Sequence, residues 1–401
     1  MSNEKFVFVV CGAREHIDTL HFSLPYLKHF SEKEIIVVTD SRRNEIPVEY
    51  DNVVDVETPA HFDNHQASIY LKVGLNKFLP KGFLYCYLDT DVIALNKQCD
   101  DVFKHKQGPI TFAADHCRLP KFSPSAVRCN CLVNNKKEIA ELEALMDRFD
   151  PARKERDEEM ELKKQHLIRQ FEIIKRDKLK YMLITLRFLT APYRFKLDDD
   201  TYYLRWKKVW VDKQGRIIIK PAESMVKDIE ANSQWRWNTL KRRWYGPQGQ
   251  DVYNLECHHL AEYIEQKFGI KVADKNFQHW NGGAFLFDDS SADFLNAWFD
   301  KTMKIFEDKN WYTRDQGTLI ATVWAFGLQN NPLLPRQFNF IADYNNPALM
   351  MDENGGISDN AFQTVVHPAL IHIYHNFGKR GWDIWEHVEK VGQQLRKHER
   401  A

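Results

Sequence analysis

Predicted strands and helices alternate from Phe6 to Asp115, and this alternation limits the fold more than any other feature of the sequence. Compact apolar runs indicate four buried strands: Phe6–Cys11, Ile35–Thr39, Leu84–Leu88 and Ile110–Ala114. Between the first three, Leu20–Phe30 and Ser68–Phe78 carry apolar residues at helical spacing. Strands that are joined by helices form a mostly parallel, layered sheet. The sequence therefore predicts an α/β fold.

Two aspartates, Asp89 and Asp91, directly follow the third predicted strand. Because side chains on a strand alternate with a period of two, both carboxylates are predicted to project from one face at the carboxyl end of the strand. Open α/β sheets bind their ligands at that end. Two carboxylates there suit a divalent cation such as Mg²⁺ or Mn²⁺, whose usual partner is a diphosphate. The same residues are equally compatible with a plain turn at the end of a strand.

The charge balance excludes a strong whole-molecule attraction to nucleic acid or to an anionic membrane. Lys plus Arg and Asp plus Glu both total 56 in a chain of 401 residues.

No stretch approaches the roughly twenty apolar residues that a transmembrane helix needs. The first residues run straight into a short β-branched segment, without the apolar core and cleavage site of a signal peptide. We expect a cytoplasmic protein.

The seven cysteines are an odd number spread along the chain, which argues against a disulfide framework. Several lie near one another or near histidines: His116-Cys117, Cys129, Cys131 and Cys257-His258-His259. A zinc site could be drawn from these residues, but they lack the paired CxxC spacing of structural zinc sites. The sequence favours reduced thiols.

The pattern changes near Asn134, where charge-dense helical segments begin. Helices are predicted at Lys136–Phe149 and Glu155–Leu189, followed by a β-hairpin over 202–220. Residues 134–267 are therefore predicted to form a large, mainly helical insertion. It would separate the first part of the core, 1–133, from a second part, 268–390, with a C-terminal tail at 391–401.

Five segments together resemble a known family in their order and approximate spacing. They are ASIYLKVGLNKFLP (67–80), LDTD (88–91), WNGG followed by AFLF (280–287), RDQGTL (314–319) and HNFGKRGW (375–382). The family is the nucleotide-sugar glycosyltransferases of family 8, the glycogenin-like group. The resemblance implies a single Rossmann-like nucleotide-sugar-binding domain of the A-type glycosyltransferase fold, with a mixed, mostly parallel sheet. Two segments depart from the family: Cys11–Arg14 replaces its uridine-binding pattern, and Gly381 stands where it has proline.

The resemblance also implies roles for individual residues. The implied metal ligands, for Mn²⁺ or Mg²⁺, are Asp89, Asp91 and His375. The implied donor-binding residues are Lys72, Asp89, Asp91, and Lys379 or Arg380. The implied catalytic residues are Asn281, Asp315 and Gln316. A cation between the phosphate oxygens stabilises the departing diphosphate as a Lewis acid, and an imidazole ligand favours Mn²⁺.

Each of these residues has an ordinary structural alternative. His375 lies near His372 in the sequence and could be a structural histidine. Lys72 could be a solvated helix residue, and Asn281 with two glycines could form a tight turn. Asp315 and Gln316 could cap the helix that follows them.

Two segments of the predicted insertion also invite a functional interpretation. Asp198–Asp200 resembles the metal-binding acids of other glycosyltransferase families, but a surface turn or a secondary ion site is the favoured interpretation. The segment Gln234–Tyr245 interleaves aromatic residues with cations, which could bind an acceptor by stacking. An amphipathic helix that packs its tryptophans on the core is the favoured alternative.

The sequence thus predicts a metal-dependent enzyme that moves a hexose from a UDP-sugar, with glucose or galactose implied by the resemblance. The acceptor would be a glycan, a lipid-linked molecule or a protein, and retention of configuration is implied only by the resemblance. A peripheral membrane contact through the insertion stays open. The alternatives are a glycoside hydrolase that uses Asp89 and Asp91, and an inactive scaffold that binds carbohydrate or nucleic acid through the Gln234–Tyr245 segment.

Overall fold

The chain forms two compact units in the computed structural model, which describes residues 3–151, 158–346, 348–352, 354–359 and 362–398. The core unit comprises the residues up to Cys129 together with those from Glu256 onward. The second unit comprises Asn130–Leu255. Every residue named above as a catalytic, donor-binding or metal-binding candidate belongs to the core unit.

The first part of the core unit alternates strands and helices. Its strands are β1 (Glu4–Val9), β2 (Glu34–Thr39), β3 (Val53–Asp55), β4 (Leu84–Leu88), β5 (Val92–Ala94) and β6 (Ile110–Arg118). Its helices are α1 (Arg14–Phe30), α2 (Asn64–Val73), α3 (Leu75–Phe78) and α4 (Leu119–Ala126). The second unit contains α5 (Cys131–Phe149), α6 (Glu158–Arg176), α7 (Lys178–Thr190), β7 (Arg194–Lys196), β8 (Thr201–Leu204), β9 (Val209–Asp212), β10 (Ile217–Ile219), α8 (Val226–Asn232), β11 (Arg236–Asn238) and β12 (Arg243–Tyr245).

The second part of the core unit completes the sheet and adds short strands. Its helices are α9 (His259–Phe268), α10 (Ala292–Ile305), α11 (Arg314–Ala325) and α12 (Asp383–His398). Its strands are β13 (Gln278–Phe287), β14 (Phe340–Ala342), β15 (Met350–Met351), β16 (Ile357–Asp359), β17 (Phe362–Val366) and β18 (Leu370–Ile373).

The central sheet has six strands in the order β3-β2-β1-β4-β13-β6. The first four are parallel to one another, and β13 runs antiparallel between β4 and β6. The sheet is therefore mixed and mostly parallel, which confirms the predicted α/β fold class. The order of the strands reverses at β1. The carboxyl ends of β1 and β4 lie at the same edge of the sheet, where open α/β sheets bind their ligands.

Alternate residues of the central strands enter two different apolar layers, because both faces of the sheet are covered. On β1, Phe6 and Phe8 pack in the layer that contains α1, whereas Val7 and Val9 pack in the layer that contains α2, α10 and α11. Three of these four side chains have no exposed surface and Val9 has 5%. Continuous burial explains why the strand reads as an unbroken apolar run.

Three sequence predictions of the core unit need correction. The helix predicted at Ser68–Phe78 is two helices, which meet at Gly74. The helix His259–Phe268, which the prediction placed in the insertion at 134–267, packs against α4 and α11 of the core unit. The predicted tail at 391–401 is helical as far as His398, and residues 399–401 lie outside the described part.

The second unit is less helical than predicted. Its antiparallel sheet has the order β10-β9-β8-β7, and β11 and β12 form a separate hairpin. The segment predicted as an amphipathic helix, Gln234–Tyr245, is therefore a hairpin, and Trp235 and Trp244 are buried in an apolar cluster with α5 and α8. The helix predicted at Glu155–Leu189 is two helices, and residues 155–157 lie outside the described part. Among the described helices, none is long and apolar enough to cross a membrane.

Asp40 is a buried charge that holds the end of β2 in place. Its side chain is 1% exposed and accepts hydrogen bonds from the Thr58 backbone N–H (2.8 Å) and hydroxyl (2.7 Å). The Arg42 guanidinium is 3.2 Å from the carboxylate. Burial alone would raise the pKa of Asp40, but the hydrogen bonds from Arg42 and Thr58 lower it to about 2.

We expect Asp40→Asn to lower the free energy of unfolding by about 2 kcal/mol at neutral pH, because charged hydrogen bonds are lost. The carboxylate contributes its stability above its ordinary pKa of 3.8 and loses it as the pH falls towards about 2. In urea unfolding experiments, the difference in the free energy of unfolding between wild type and Asp40→Asn should therefore decrease below pH 3.8. The exposed Asp51→Asn is the control, with an expected change under about 0.5 kcal/mol. If this difference in the free energy of unfolding is the same at all pH values, the stabilising role of the Asp40 carboxylate is contradicted.

Candidate functional site

The two aspartates lie in a turn between β4 and β5 rather than within a continuing strand. The Asp89 N–H donates to the Gly283 carbonyl of β13 at 2.8 Å, and the Val92 N–H closes the turn on the Asp89 carbonyl at 3.0 Å. Both side chains are about one-third exposed, at 30% for Asp89 and 31% for Asp91. The acids are thus fixed to the sheet by their backbones while their carboxylates stay accessible.

A histidine from the far end of the chain joins the acids. Strand β18 pairs antiparallel with β5, which sets His372 opposite Val92 and next to Asp91. The His372 Nε2 atom lies 3.3 Å from Asp91 Oδ1, and its side chain is 6% exposed. Carboxylate and imidazole atoms of Asp89, Asp91 and His372 all lie within 4.8 Å of one another. Three such donors fit one divalent cation of the Mn²⁺ or Mg²⁺ type.

A chain of hydrogen bonds determines which nitrogen of His372 faces the acids. The Gly283 N–H donates to Asn281 Oδ1 at 2.8 Å, and Asn281 Nδ2 donates to the Asp115 carboxylate at 3.0 Å, so the amide of Asn281 has one orientation. Asn339 Nδ2 donates to Asn281 Oδ1 at 2.9 Å, which turns the Asn339 oxygen towards His372 Nδ1 at 3.1 Å. Nδ1 must therefore carry a proton.

This arrangement is the one that metal-binding histidines use. A ligating imidazole donates its other N–H to an oxygen, which fixes the ring and leaves the opposite nitrogen for the ion. In His372 that opposite nitrogen is Nε2, which faces Asp91. The hydrogen bonds from Gly283 to His372 thus support a metal-ligand geometry.

The two glycines of β13 make room for this network. The strand is irregular between Asn281 and Phe285 where it pairs with β6. A Cβ atom at Gly283 would lie 2.5 Å from His372 Cε1, and one at Gly282 would lie 3.3 Å from Lys72 Nζ. Neither glycine forms the tight turn that the sequence allowed, because the strand continues through both. Because these glycines have no side chains, Lys72 and His372 can lie close to the strand.

Lys72 is the buried cation of the site. Its side chain is 10% exposed, and Nζ lies 3.2 Å from Asp89 Oδ1 and 3.4 Å from Asp315 Oδ2. The Tyr87 hydroxyl also donates to Asp89 Oδ1. Burial lowers the pKa of Lys72, but the carboxylates of Asp89 and Asp315 offset burial and hold the pKa above its ordinary value. Lys72 therefore carries a fixed positive charge beside Asp89.

Asp91 and His372 form a second charge pair. Burial raises the pKa of Asp91, yet the charge and hydrogen bond of His372 hold it below its usual range. Burial lowers the pKa of His372, and Asp91 and Asp89 more than offset this effect, so that the pKa is raised. Each aspartate of the turn thus has its own cationic neighbour, and a metal ion would replace the proton on Nε2.

Asp315 and Gln316 occupy the first turn of α11, beside the site. The Asp315 carboxylate contacts Lys72 rather than capping the helix, and the Asp315 carbonyl accepts from Trp298 Nε1 at 2.9 Å. With its amide oriented so that both atoms meet a partner, Gln316 donates to the Trp280 carbonyl and accepts from the Gly282 N–H, both at 3.1 Å. Gln316 therefore ties α11 to the glycine segment of β13.

The remaining predicted residues lie in the loop after β18. His375, the predicted metal ligand, contacts Asp343 Oδ1 at 3.2 Å, and its side chain is 47% exposed. The histidine that lies with the two aspartates is His372. Lys379 Nζ lies 5.8 Å from the ring centre of Tyr344, and Arg380 is exposed.

Sequence reasoning missed two residues that support the cluster of Asp89, Asp91 and His372. Asp115 lies in β6 and is 8% exposed, with His116 Nδ1 at 2.9 Å and His279 Nε2 at 3.9 Å. Burial alone would raise the pKa of Asp115, but its interactions with His279 and His116 hold it far below its usual range. The one sequence feature that pointed to Asp115 was its position at the end of a predicted strand. Asn339 follows a short helical turn and carries no comparable pattern.

The other two sequence candidates have ordinary roles in the second unit. Asp199 pairs with Lys196 at 2.6 Å, and Asp200 pairs with Lys163 at 3.1 Å. Asp198 accepts a hydrogen bond from the Asp200 N–H, as in a surface turn. The buried Trp235 and Trp244 offer no open faces for an acceptor to stack on.

Comparisons with known proteins leave the family open. No protein-family model matches the chain, and no curated protein matches it. Among solved structures the chain is similar to the apo structure of the bifunctional glycosyltransferase WbbM, with 9% identity over 99% of this chain and a TM-score of 0.43. It spans about half, 51%, of that chain.

Two further glycosyltransferase structures match over a shorter segment. The apo form of GlyE from Streptococcus pneumoniae TIGR4 is 18% identical over 28% of each chain, with a TM-score of 0.21. The galactosyltransferase LgtC, in complex with donor and acceptor sugar analogues, is 12% identical over 28% of this chain and 46% of that one, with a TM-score of 0.21. These similarities are too low to assign a family.

We expect Asn339→Ala to weaken Mn²⁺ binding by about 10- to 100-fold, because His372 loses the partner that orients its ring. The matched control is Asn345→Ala, since Asn345 lies 3.5 Å from Nδ1 of His375. Isothermal titration with Mn²⁺ measures both variants. A larger effect of Asn345→Ala would show that the hydrogen-bond chain through Asn339 does not position the ligand.

Proposed function

We propose that the chain is a metal-dependent glycosyltransferase that transfers a hexose from a UDP-sugar, glucose or galactose, to a glycan, lipid-linked or protein acceptor. The observation that supports it most is the grouping of Asp89, Asp91 and His372 at the ligand-binding edge of a mostly parallel sheet. Two carboxylates and an imidazole form a donor set for Mn²⁺ in preference to Mg²⁺. When bound, the ion neutralises charge on the departing diphosphate.

Individual side chains are assigned to the ion and to the diphosphate. We assign Asp89, Asp91 and His372 to the ion. Asp89 would use Oδ2, because its Oδ1 is engaged by Tyr87 and Lys72, and His372 would use Nε2. Lys72 holds Asp89 in place and adds a fixed positive charge near the diphosphate. Lys379 and Arg380, in the loop after β18, are the candidate partners of the outer phosphate oxygens.

Residues of α11 and β13 lie on the sugar side of the proposed site. Asp315 and Gln316 lie at the first turn of α11, and Asp315 reaches Lys72 and through it Asp89. We assign hydrogen bonding to sugar hydroxyls to these two residues. Asn281 is 6% exposed, and its amide bonds Gly283, Asp115 and Asn339. We therefore assign Asn281 to positioning of His372 rather than to contact with the sugar.

The charge distribution opposes the hydrolase alternative. A glycoside hydrolase needs one carboxylic acid whose raised pKa keeps it protonated as the general acid. His372 instead holds the pKa of Asp91 below its usual range, and Lys72 pairs with Asp89. The two carboxylates also lie on one side of the site with the imidazole, where they converge on a single point.

The acceptor and the proposed membrane contact have less support. The part of the second unit that would carry a membrane contact is α7, which exposes apolar side chains: Leu179, Met182, Leu183, Leu186 and Leu189. Retention of configuration, the uracil base and the choice between glucose and galactose rest on the family resemblance of the sequence.

We expect His372→Asn to lower Mn²⁺ affinity by more than about 100-fold, since it removes a ligand rather than a supporting residue. His375→Asn is the matched control, because it lies three residues further along and pairs with Asp343. We expect it to bind Mn²⁺ within about threefold of wild type, a difference of less than 1 kcal/mol. The opposite ranking would restore His375 as the ligand and remove His372.

We expect Asp91→Asn to lower kcat/KM for UDP-sugar turnover by at least about 1,000-fold, or about 4 kcal/mol of transition-state stabilisation. The measurement is Mn²⁺-dependent UDP release from a panel of UDP-sugars, with chelator-treated enzyme as the blank. Asp199→Asn, in the exposed acidic cluster of the second unit, is the matched control and should retain activity. If wild type releases no UDP from any donor, or if Asp91→Asn keeps its activity while folded, the proposal is wrong.

A further inference from the structure

Two cysteines and a histidine of the core unit meet away from the site described above. Cys129 follows α4, and Cys257 and His259 lie at the start of α9. The two sulfur atoms are 3.9 Å apart, and His259 offers a ring nitrogen within 4.8 Å of both. All seven cysteines of the chain lie in its described part, and none of them forms a disulfide.

The segments that carry these side chains are held by backbone hydrogen bonds to the core unit. The Cys257 N–H donates to the Pro120 carbonyl at 3.0 Å, and the Arg128 N–H donates to the Asn310 carbonyl at 2.8 Å. Ser123 accepts from the Leu260 N–H at 2.9 Å, and its hydroxyl lies 3.1 Å from Cys257 Sγ. The three side chains are therefore held together by the surrounding fold.

The spacing of the sulfur atoms fits tetrahedral zinc. Zn–S bonds of about 2.3 Å place two thiolates of one tetrahedron about 3.8 Å apart. The sulfur atoms of Cys129 and Cys257 are 3.9 Å apart, whereas a disulfide requires about 2.0 Å. Cys257 is buried and His259 is half-buried. Thiolate and imidazole are the ligands that Zn²⁺ prefers in structural sites.

We propose that Cys129, Cys257 and His259 bind a structural Zn²⁺ ion that is separate from the ion at Asp89 and Asp91. The sequence pattern is Cys-x-Cys at 129–131 and Cys-x-His at 257–259, so it lacks the CxxC spacing on which sequence recognition depends. This inference does not depend on the proposed transferase activity.

The position of the site in the chain gives the ion a stabilising role. Cys129 is the last residue of the first core segment, and Cys257 is the second residue of the next. The ion would tie together two segments that residues 130–255 separate in the sequence. A cross-link across a long stretch of chain removes more entropy from the unfolded state than one across a short stretch. We therefore expect zinc to raise the stability of the core unit.

Cobalt substitution in the reduced, chelator-treated full chain tests this proposal. We expect one Co²⁺ per chain to give a thiolate-to-cobalt charge-transfer band and the visible bands of tetrahedral Co²⁺, both displaced by Zn²⁺. We expect Cys257→Ser and His259→Asn to lower Zn²⁺ affinity by more than about 100-fold. Zinc should also raise the Tm of wild type, through its selective binding to the folded state.

Two matched controls locate the effect. His258→Asn removes the exposed neighbour of His259, and Cys99→Ala removes a thiol of another apolar cluster; both should keep the charge-transfer band. His259→Asn retains both thiols, and circular dichroism checks that it is folded. Absence of the charge-transfer band in wild type, or an equal loss of affinity in His258→Asn and His259→Asn, would falsify the proposal. Asp91→Asn should leave the band unchanged, which separates this site from the transferase site.

Discussion

The antiparallel strand β13 is the element on which the candidate site depends, because its glycine segment lies against Asp89, Lys72 and His372. Its Gly283 carbonyl accepts from Asp89, and its Gly283 N–H begins the hydrogen bonds that lead to His372. The glycines at 282 and 283 let Lys72 and the imidazole approach the strand closely. Since β13 pairs with both β4 and β6, a shift in its register would displace Asp89 and Asp115 together.

The second feature of the site is the pairing of its acidic and cationic side chains. Lys72 lies between two carboxylates, and His372 lies against a third. Buried charges are stable only when they are paired, and here each acid of the β4–β5 turn has a cationic partner. Exchange of the Nε2 proton of His372 for a divalent ion would add one positive charge to this cluster.

The strand Leu84–Leu88 was predicted at its observed bounds, because a run that is buried on both faces and ends in two acids has few alternatives. The sheet class followed from the alternation of strands and helices. His372 could not be found in this way, because its place depends on the pairing of β18 with β5, which are far apart in the sequence. Likewise, Trp235 and Trp244 pack inside a hairpin because tertiary burial outweighed local helical spacing.

The order in which the ribosome makes these strands has a consequence for the nascent protein. Residues 89 and 91 leave the ribosome long before β18, because synthesis runs from the amino terminus and domains fold as they emerge. During that interval Lys72 can neutralise Asp89, but Asp91 has no imidazole beside it. The cluster of Asp89, Asp91 and His372 is therefore completed only after residues 370–373 have joined β5.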